Sequence, residues 1–140
     1  MPFMFPPPTP WKQRDDIDPD REYVALTSCF FLKSPLRVMA FLTRAQGIMK
    51  EIGEAAGLVG WSLGSNLFKL EFYTLSAWDD AEKLRRYIQS GHHHTAMAQF
   101  EGAMRRKTIF RYYKVKGRDL PLTWKDALAR QKQHDRERPT

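Results

Sequence analysis

The stretch Gln89-Ser-Gly-His-His-His-Thr-Ala-Met97 sets three of the chain's four histidines side by side. Metal ligation, acid–base work and the polar start of a helix are the chemistries open to such a run. Consecutive helical residues point about 100° apart, so His92, His93 and His94 cannot converge on one ion from a helix. A helical metal pair needs spacing i, i+4, and neither positions 88 and 89 nor 96 to 98 hold a second His, Cys, Asp or Glu. No metal centre is expected here. As a general base, a histidine at a helix N-terminus is plausible chemistry, because the helix dipole opposes protonation and leaves a neutral imidazole. The competing reading is three solvated side chains opening a helix.

Aromatic residues supply the second set. Trp61, Trp78, Tyr87, Met97 and Phe100 sit at strand or helix spacings and suit either a core or the wall of a site for a flat hydrophobic molecule. Arg111 falls in a strand-like run, where alternation puts it on one face with Ile109 and Tyr113. It suits an anion anchor or an ion pair at a dimer interface. Cys29 lies in an apolar run and reads as a buried, inert thiol. There is no phosphate-cradling glycine loop, no G-x-S-x-G and no pair of catalytic carboxylates, so hydrolases and nucleotide enzymes find no support.

These residues need elements to hold them. Residues 1–20, with Pro-Pro-Pro and Asp-Asp-Ile-Asp-Pro-Asp, read as an extended arm, loose or packed on a neighbour. Residues 22–32 alternate as a strand whose two faces, Val24, Leu26, Phe30 and Leu32 against Tyr23, Ala25, Thr27, Cys29 and Phe31, are both apolar, so both need covering. Ser34-Pro35 caps a helix with a stripe from Val38 to Ile52, ending at Gly57. Residues 58–64 form a strand with Val59, Trp61 and Leu63 on one side. Ser65-Asn66 is expected to turn into a strand over 67–78. Ser76 or Asp79 caps a second helix with Leu84, Tyr87 and Ile88 inward. It breaks at Ser90-Gly91, and His92 opens a further helical piece. Residues 107–117 are a fourth strand, and Thr123-x-x-Asp126 opens a short helix from Trp124 to about Gln131.

The order β-α-β-β-α-β is that of a ferredoxin-like α+β domain spanning 21–117, with a four-stranded antiparallel sheet and a basic tail over 118–140. The sheet face bearing Tyr23, Ala25, Cys29 and Phe31 is too apolar to leave in water, and a dimeric α/β barrel made of two such sheets would cover it. A homodimer is therefore expected.

Chain-wide totals agree with one domain. The 140 residues are 42% hydrophobic and 13% aromatic, enough for one core. No apolar run approaches the roughly 18 residues of a membrane span, the N-terminus does not read as a secretory signal, and a single cysteine suits a reducing cytoplasm. The net charge of +7 is concentrated: residues 104–140 hold 12 Lys/Arg against 4 Asp/Glu. Basic residues interleaved with Tyr112 and Tyr113 raise RNA, since RNA-recognition domains share this element order. The strand Lys69-Leu-Glu-Phe-Tyr-Thr-Leu75 lacks their glycine and places Glu71 where a phosphate would meet repulsion, so nucleic acid is the third choice.

The stretch Phe72-Tyr-Thr-Leu-Ser-Ala-Trp-Asp-Asp-Ala-Glu-Lys-Leu-Arg-Arg-Tyr-Ile-Gln-Ser-Gly-His-His-His-Thr-Ala-Met97 resembles the antibiotic-biosynthesis-monooxygenase-like family of dimeric α/β-barrel proteins. The resemblance lies in a strand ending Leu-Ser-x-Trp, then Asp-x-x-x-Leu, then Ser-Gly-x-His-x-x-Ala-Met. The closing segment 119–130 is similar to the tail of an uncharacterised branch. The resemblance implies a site between sheet and helices, matches Trp78 to the tryptophan ending strand three, and singles out His93 as the catalytic histidine. Haem-degrading members carry a tryptophan and a histidine where this chain has Tyr87 and Met97, so that activity is not implied. The expected function is cofactor-independent, monooxygenase-like chemistry on a flat hydrophobic molecule, with His93 as base and Trp61, Trp78, Tyr87, Met97 and Arg111 around the substrate. The alternative is non-catalytic binding of haem or a hydrophobic ligand.

Overall fold

A computed structural model describes residues 4, 7–38, 40, 43, 56–89, 102, 104–105 and 109–137, with backbone alone for Arg37 and 131–137. Five strands form one antiparallel sheet: β1 Lys12–Gln13, β2 Glu22–Phe31, β3 Leu58–Asn66, β4 Glu71–Trp78 and β5 Ile109–Lys116, ordered β1-β3-β4-β2-β5. Two helices are described, α1 Ala81–Ile88 and α2 Trp124–Glu137. The four longer strands carry the expected ferredoxin-like α+β arrangement. β1 adds a short edge to the four strands expected, pairing Lys12 with Trp61 and Gln13 with Gly60.

The alternation in β2 sorts its side chains as the sequence implies. Val24 and Leu26 pack with Trp78, Leu84, Tyr87 and Phe110 on the face that carries α1. Tyr23 and Ala25 join Leu75, Ala77, Val59 and Val115 on the other face, and Cys29 and Phe31 pack with Tyr73 there. Both faces are buried, as two apolar faces require.

That second face is covered by the chain itself. Trp11 and Ile17 of the arm and Leu122, Trp124 and Ala127 at and before α2 pack on Tyr23 and Leu75; Met4, Trp124 and Leu128 pack on Cys29, Phe31 and Tyr73. The Trp124 indole donates to Ser62 Oγ at 3.1 Å, and Ser62 Oγ also donates to the Thr9 carbonyl at 2.6 Å. The arm runs along β3, with Thr9 N–H on the Leu63 carbonyl and Arg14 N–H on that of Val59. The apolar surface that called for a second subunit is already out of water.

Glycines in β3 make the fit. A Cβ on Gly60 would lie 2.4 Å from Trp11 Cζ2, and one on Gly64 2.9 Å from Met4 Sδ. Both positions are notches in which cap side chains lodge, where any larger residue overlaps them.

Several local expectations are corrected. The β3–β4 turn is not Ser65-Asn66 but residues 67–70: Asn66 Oδ1 accepts from Lys69 N–H and Leu70 takes a positive φ of 56°. The apolar pair Leu67-Phe68 imitates a strand start, yet Phe68 is exposed. A register shift between Leu58 and Gly60 separates Val59 from Trp61 and Leu63: Val59 joins the capped face and Trp61 the α1 face. Asp80, not Ser76 or Asp79, caps α1, accepting from Lys83 N–H at 2.8 Å. α2 runs to Glu137, six residues past the expected end, and its start is as expected, Thr123 Oγ1 accepting from Asp126 N–H.

Ser34 accepts from Leu36 N–H and Pro35 follows at the first helical position, as expected. The rest of that first helix, and the piece opening at His92, lie almost wholly outside the described residues.

Candidate functional site

Trp78 closes β4 and is fully buried. The sheet alternation turns it to the α1 face, where Asp80 then starts the helix that returns over it. About two turns later Tyr87 lies against it, ring centroids 5.2 Å apart and planes at 30°. The indole N–H donates to Ser76 Oγ at 2.9 Å, the residue two back on the same face. Thus the ring is fixed by stacking on one side and a hydrogen bond at its rim, which satisfies its only polar atom.

Trp61, half-buried, packs on the same cluster from β3, as Leu58, Val24, Ile88 and Phe110 do from their own elements. Lys12 Nζ from the edge strand stands 5.1 Å from the Trp61 ring centroid, within cation–π range. Sequence reasoning missed Lys12: a two-residue edge strand carries no periodicity, and only the Trp61 pairing brings it in.

The aromatic members expected at the site therefore meet: Trp61, Trp78 and Tyr87 form one layer between β-sheet and α1. Trp78 is the base of that layer rather than an open surface, and Trp61 and Tyr87 are its half-exposed rings. Arg111 does not join them. It pairs with Thr27 across the strands and shares the capped face with Ile109 and Tyr113. A β-strand alternates faces at every residue, so Phe110 enters the Trp78 cluster and Arg111 is turned away from it. Arg111 donates from Nη1 to the Phe110 carbonyl at 2.9 Å. His93 and Met97 lie outside the described residues.

A charge cluster borders the aromatic layer. Asp79, next to Trp78, is buried, and its carboxylate takes both terminal nitrogens of Arg14 at 2.6 and 3.2 Å. Lys83 Nζ of α1 stands at 3.2 Å and Arg21 Nη1 at 3.6 Å. The Arg14 hydrogen bonds, aided by Lys83, hold the Asp79 carboxyl below its usual range against the opposing effect of burial. Asp79 was expected only as a helix cap. Its partners Arg14 and Arg21 lie more than fifty residues away, so no local spacing announces the pair. Such a doubly bonded, saturated carboxylate is suited to holding elements together, not to taking a proton.

Among the described residues, no three His, Cys, Asp or Glu side chains gather in a way that could hold a metal ion. No described helix is long and apolar enough to cross a membrane. On the capped face Tyr73 of β4 is buried, its ring centroid 6.4 Å from that of Trp124.

No family model matches the chain and no curated protein matches it. Solved structures do. A conserved protein from Methanosarcina mazei Go1 is similar with a TM-score of 0.60 at 17% identity, over 65% of this chain and 90% of that one. An antibiotic biosynthesis monooxygenase gives 0.60 at 12% identity, over 64% and 95%. A protein of unknown function from Nitrosomonas europaea gives 0.60 at 14% identity, over 73% and 97%. The five-stranded open sheet with its α1-side aromatic layer accordingly has the ferredoxin-like fold found in antibiotic-biosynthesis-monooxygenase-like proteins.

Proposed function

We propose that this chain binds a flat hydrophobic molecule against the half-exposed rings of Trp61 and Tyr87 and oxidises it in a monooxygenase-like reaction that uses no resident cofactor. The observation that carries the reading is the stack of Tyr87 on a Trp78 locked by Ser76. With Tyr87 held against a fixed, buried Trp78, the accessible parts of Tyr87 and Trp61 offer a preorganised aromatic surface, and such a surface orients a planar substrate at little entropic cost. The structural neighbours named as monooxygenases support the reaction class.

An electron-rich aromatic methylene fits both the wall and the absence of any required reductant. Its conversion to a carbonyl by O2 releases one water, and the substrate supplies all four electrons. His93 is the base that removes the methylene or phenolic proton, and Lys12, beside Trp61, offsets the negative charge that the deprotonated substrate carries. Arg111 is left out of this reading, because strand alternation turns it away from the face that carries Trp78.

Oxygen uptake with a panel of anthrone- and hydroquinone-type compounds tests the reading. Turnover that survives a metal chelator and falls by about 100-fold in His93→Ala is the expected result. Turnover unchanged by His93→Ala removes the base. Failure of every planar aromatic to quench Trp61 or Trp78 fluorescence removes the site itself. A Soret shift on titrating haem, without turnover of any aromatic, would replace the enzyme by a haem-binding protein.

A further inference from the structure

The sheet face that carries α1 is not apolar throughout. Alternation from Trp78 and Leu26 places Ser76, Thr74 and Ser28 on it, and the register sets Thr74 of β4 beside Ser28 of β2. The two hydroxyls, Thr74 Oγ1 and Ser28 Oγ, are hydrogen-bonded to each other. On β3, Leu63 stands beside Thr74 as Trp61 stands beside Ser76. Ser28 and Ser76 are buried, whereas Trp61, Leu63 and Thr74 are half-buried and form an accessible strip along the face. Two residues of strand span about 7 Å, so a flat molecule lying on Trp61 reaches Thr74 with its far end.

A hydroxyl carries one proton and accepts through two lone pairs, so the Ser28–Thr74 pair holds two protons and consumes one between them. Ser28 is 4% exposed and its hydrogen-bond partner among the described residues is Thr74. A buried donor needs an acceptor, so the Ser28 proton goes to Thr74 and the Thr74 proton is left over. A hydroxyl that already accepts is polarised into a stronger donor. We infer that Thr74 donates this proton to an oxygen of the ligand, which makes the substrate a planar aromatic ketone rather than a plain hydrocarbon. The inference rests on the proposed site and narrows what that site accepts. Thr74 is the specificity residue, and Ser28 positions its hydroxyl. A hydrocarbon would leave the donor without an acceptor, a loss that a carbonyl oxygen avoids. In the proposed reaction a methylene C–H bond breaks, the proton goes to the base, and the electron pair delocalises onto the carbonyl oxygen. The Thr74 donor then faces a charged oxygen and binds it more strongly than the neutral ketone.

Fluorenone and fluorene, planar probes that differ in the carbonyl oxygen, test this on the full chain through quenching of tryptophan fluorescence. Thr74→Val keeps the shape of the side chain and removes its hydroxyl. Fluorenone binding is expected to weaken about 5- to 10-fold in this variant, while fluorene binding stays within about 2-fold of wild type. Thr74→Ser keeps the donor and is expected to retain the fluorenone affinity. The infrared carbonyl stretch of bound fluorenone gives a readout that lost packing does not imitate. It is expected at the lowered frequency of a hydrogen-bonded ketone in wild type and Thr74→Ser, higher in Thr74→Val, and between the two in Ser28→Ala. The wild-type stretch decides the matter by itself should Thr74→Val not fold. A wild-type stretch at the frequency fluorenone shows in a hydrocarbon solvent overturns the inference and leaves the aromatic site standing. Equal weakening of both probes in Thr74→Val does the same. Binding of neither probe to the wild type overturns the site, and this inference with it.

Discussion

Asp79 gathers three cations around one buried carboxylate, and removing its charge leaves them without a counterion. Asp79→Asn is expected to lower stability by about 2–3 kcal/mol, less than for a fully enclosed pair because Arg14, Lys83 and Arg21 keep partial access to water. The Asp79 carboxyl is held below its unfolded value of 3.8. Its contribution is therefore complete above that value and is lost as pH falls through the lower folded one. Chemical denaturation across pH 2–6 checks this: the wild type loses stability in the acid limb, and Asp79→Asn shows a shallower loss. Tyrosine titration gives a second test at this scale. Burial, with Asp126 adding to it, pushes the Tyr113 phenol up to about 12. Its absorbance change should come about two pH units after that of an exposed tyrosine, and the folded state should lose stability as pH rises from about 10 towards that value. Trp78→Ala should cost about 3–5 kcal/mol, as deletion of a fully buried ring does. Trp78 and Tyr87 were legible as partners because strand and helix periods both point them inward, whereas the strand period grouped Trp61 with Val59 and only the register shift in β3 brings it to their face. Arg111 was legible to its correct face, with Ile109 and Tyr113, but not to its surroundings, because alternation says which residues share a face and nothing about what lies on it. Lys12, Arg14 and Asp79 were not legible as site neighbours, since sequence distance hides contacts made across a sheet.

Elements were read best where a period ran long enough to speak. The ten residues of β2 fell into two faces, and α1 kept its inward Leu84, Tyr87 and Ile88. Short irregularities defeated the reading. One shift at Leu58/Gly60 reverses the faces of everything after it in β3, and a period-2 pattern has no means of registering an inserted residue. The same glycine gives a test of how tightly the arm is seated. Gly60→Ala, with its Cβ 2.4 Å from Trp11 Cζ2, should destabilise by about 1–3 kcal/mol through overpacking. Combining it with Trp11→Ala should recover part of that loss, a coupling that a double-mutant cycle in urea measures. For α1, Asp80→Ala should cost about 1 kcal/mol by loss of the cap on Lys83 N–H, while Ser76→Ala should act through Trp78 and leave the helix start untouched.

At the scale of the molecule, element order was enough to give the ferredoxin-like α+β fold, because four strands and their helical crossovers leave few right-handed arrangements. The apolar second face was equally plain, and so was the need to cover it. What the sequence did not show was the cover. The arm looked like a proline-rich extension, loose or packed on a neighbour, and the tail like a basic segment with a short helix; among the described side chains of α2, Trp124, Ala127 and Leu128 face inward, too few to form a pattern. With the arm and α2 as part of the core, heat or denaturant should unfold sheet and cap together. Tryptophan fluorescence, which reports Trp11, Trp61, Trp78 and Trp124, should then coincide with far-ultraviolet dichroism in one transition. A separate early phase in fluorescence alone would mean that the cap melts first.

The placement of α2 also bears on how the protein is made. Tyr23 leaves the ribosome about a hundred residues before Trp124, and domains begin folding as they emerge. Through most of that interval β2, β3 and β4 can pair while the part of their apolar face that α2 covers is still bare, and neighbouring nascent chains on one message present the same sticky plane to each other. Translation speed across the stretch between β5 and α2 should therefore govern the yield of soluble protein more than it would in a chain whose core closes early.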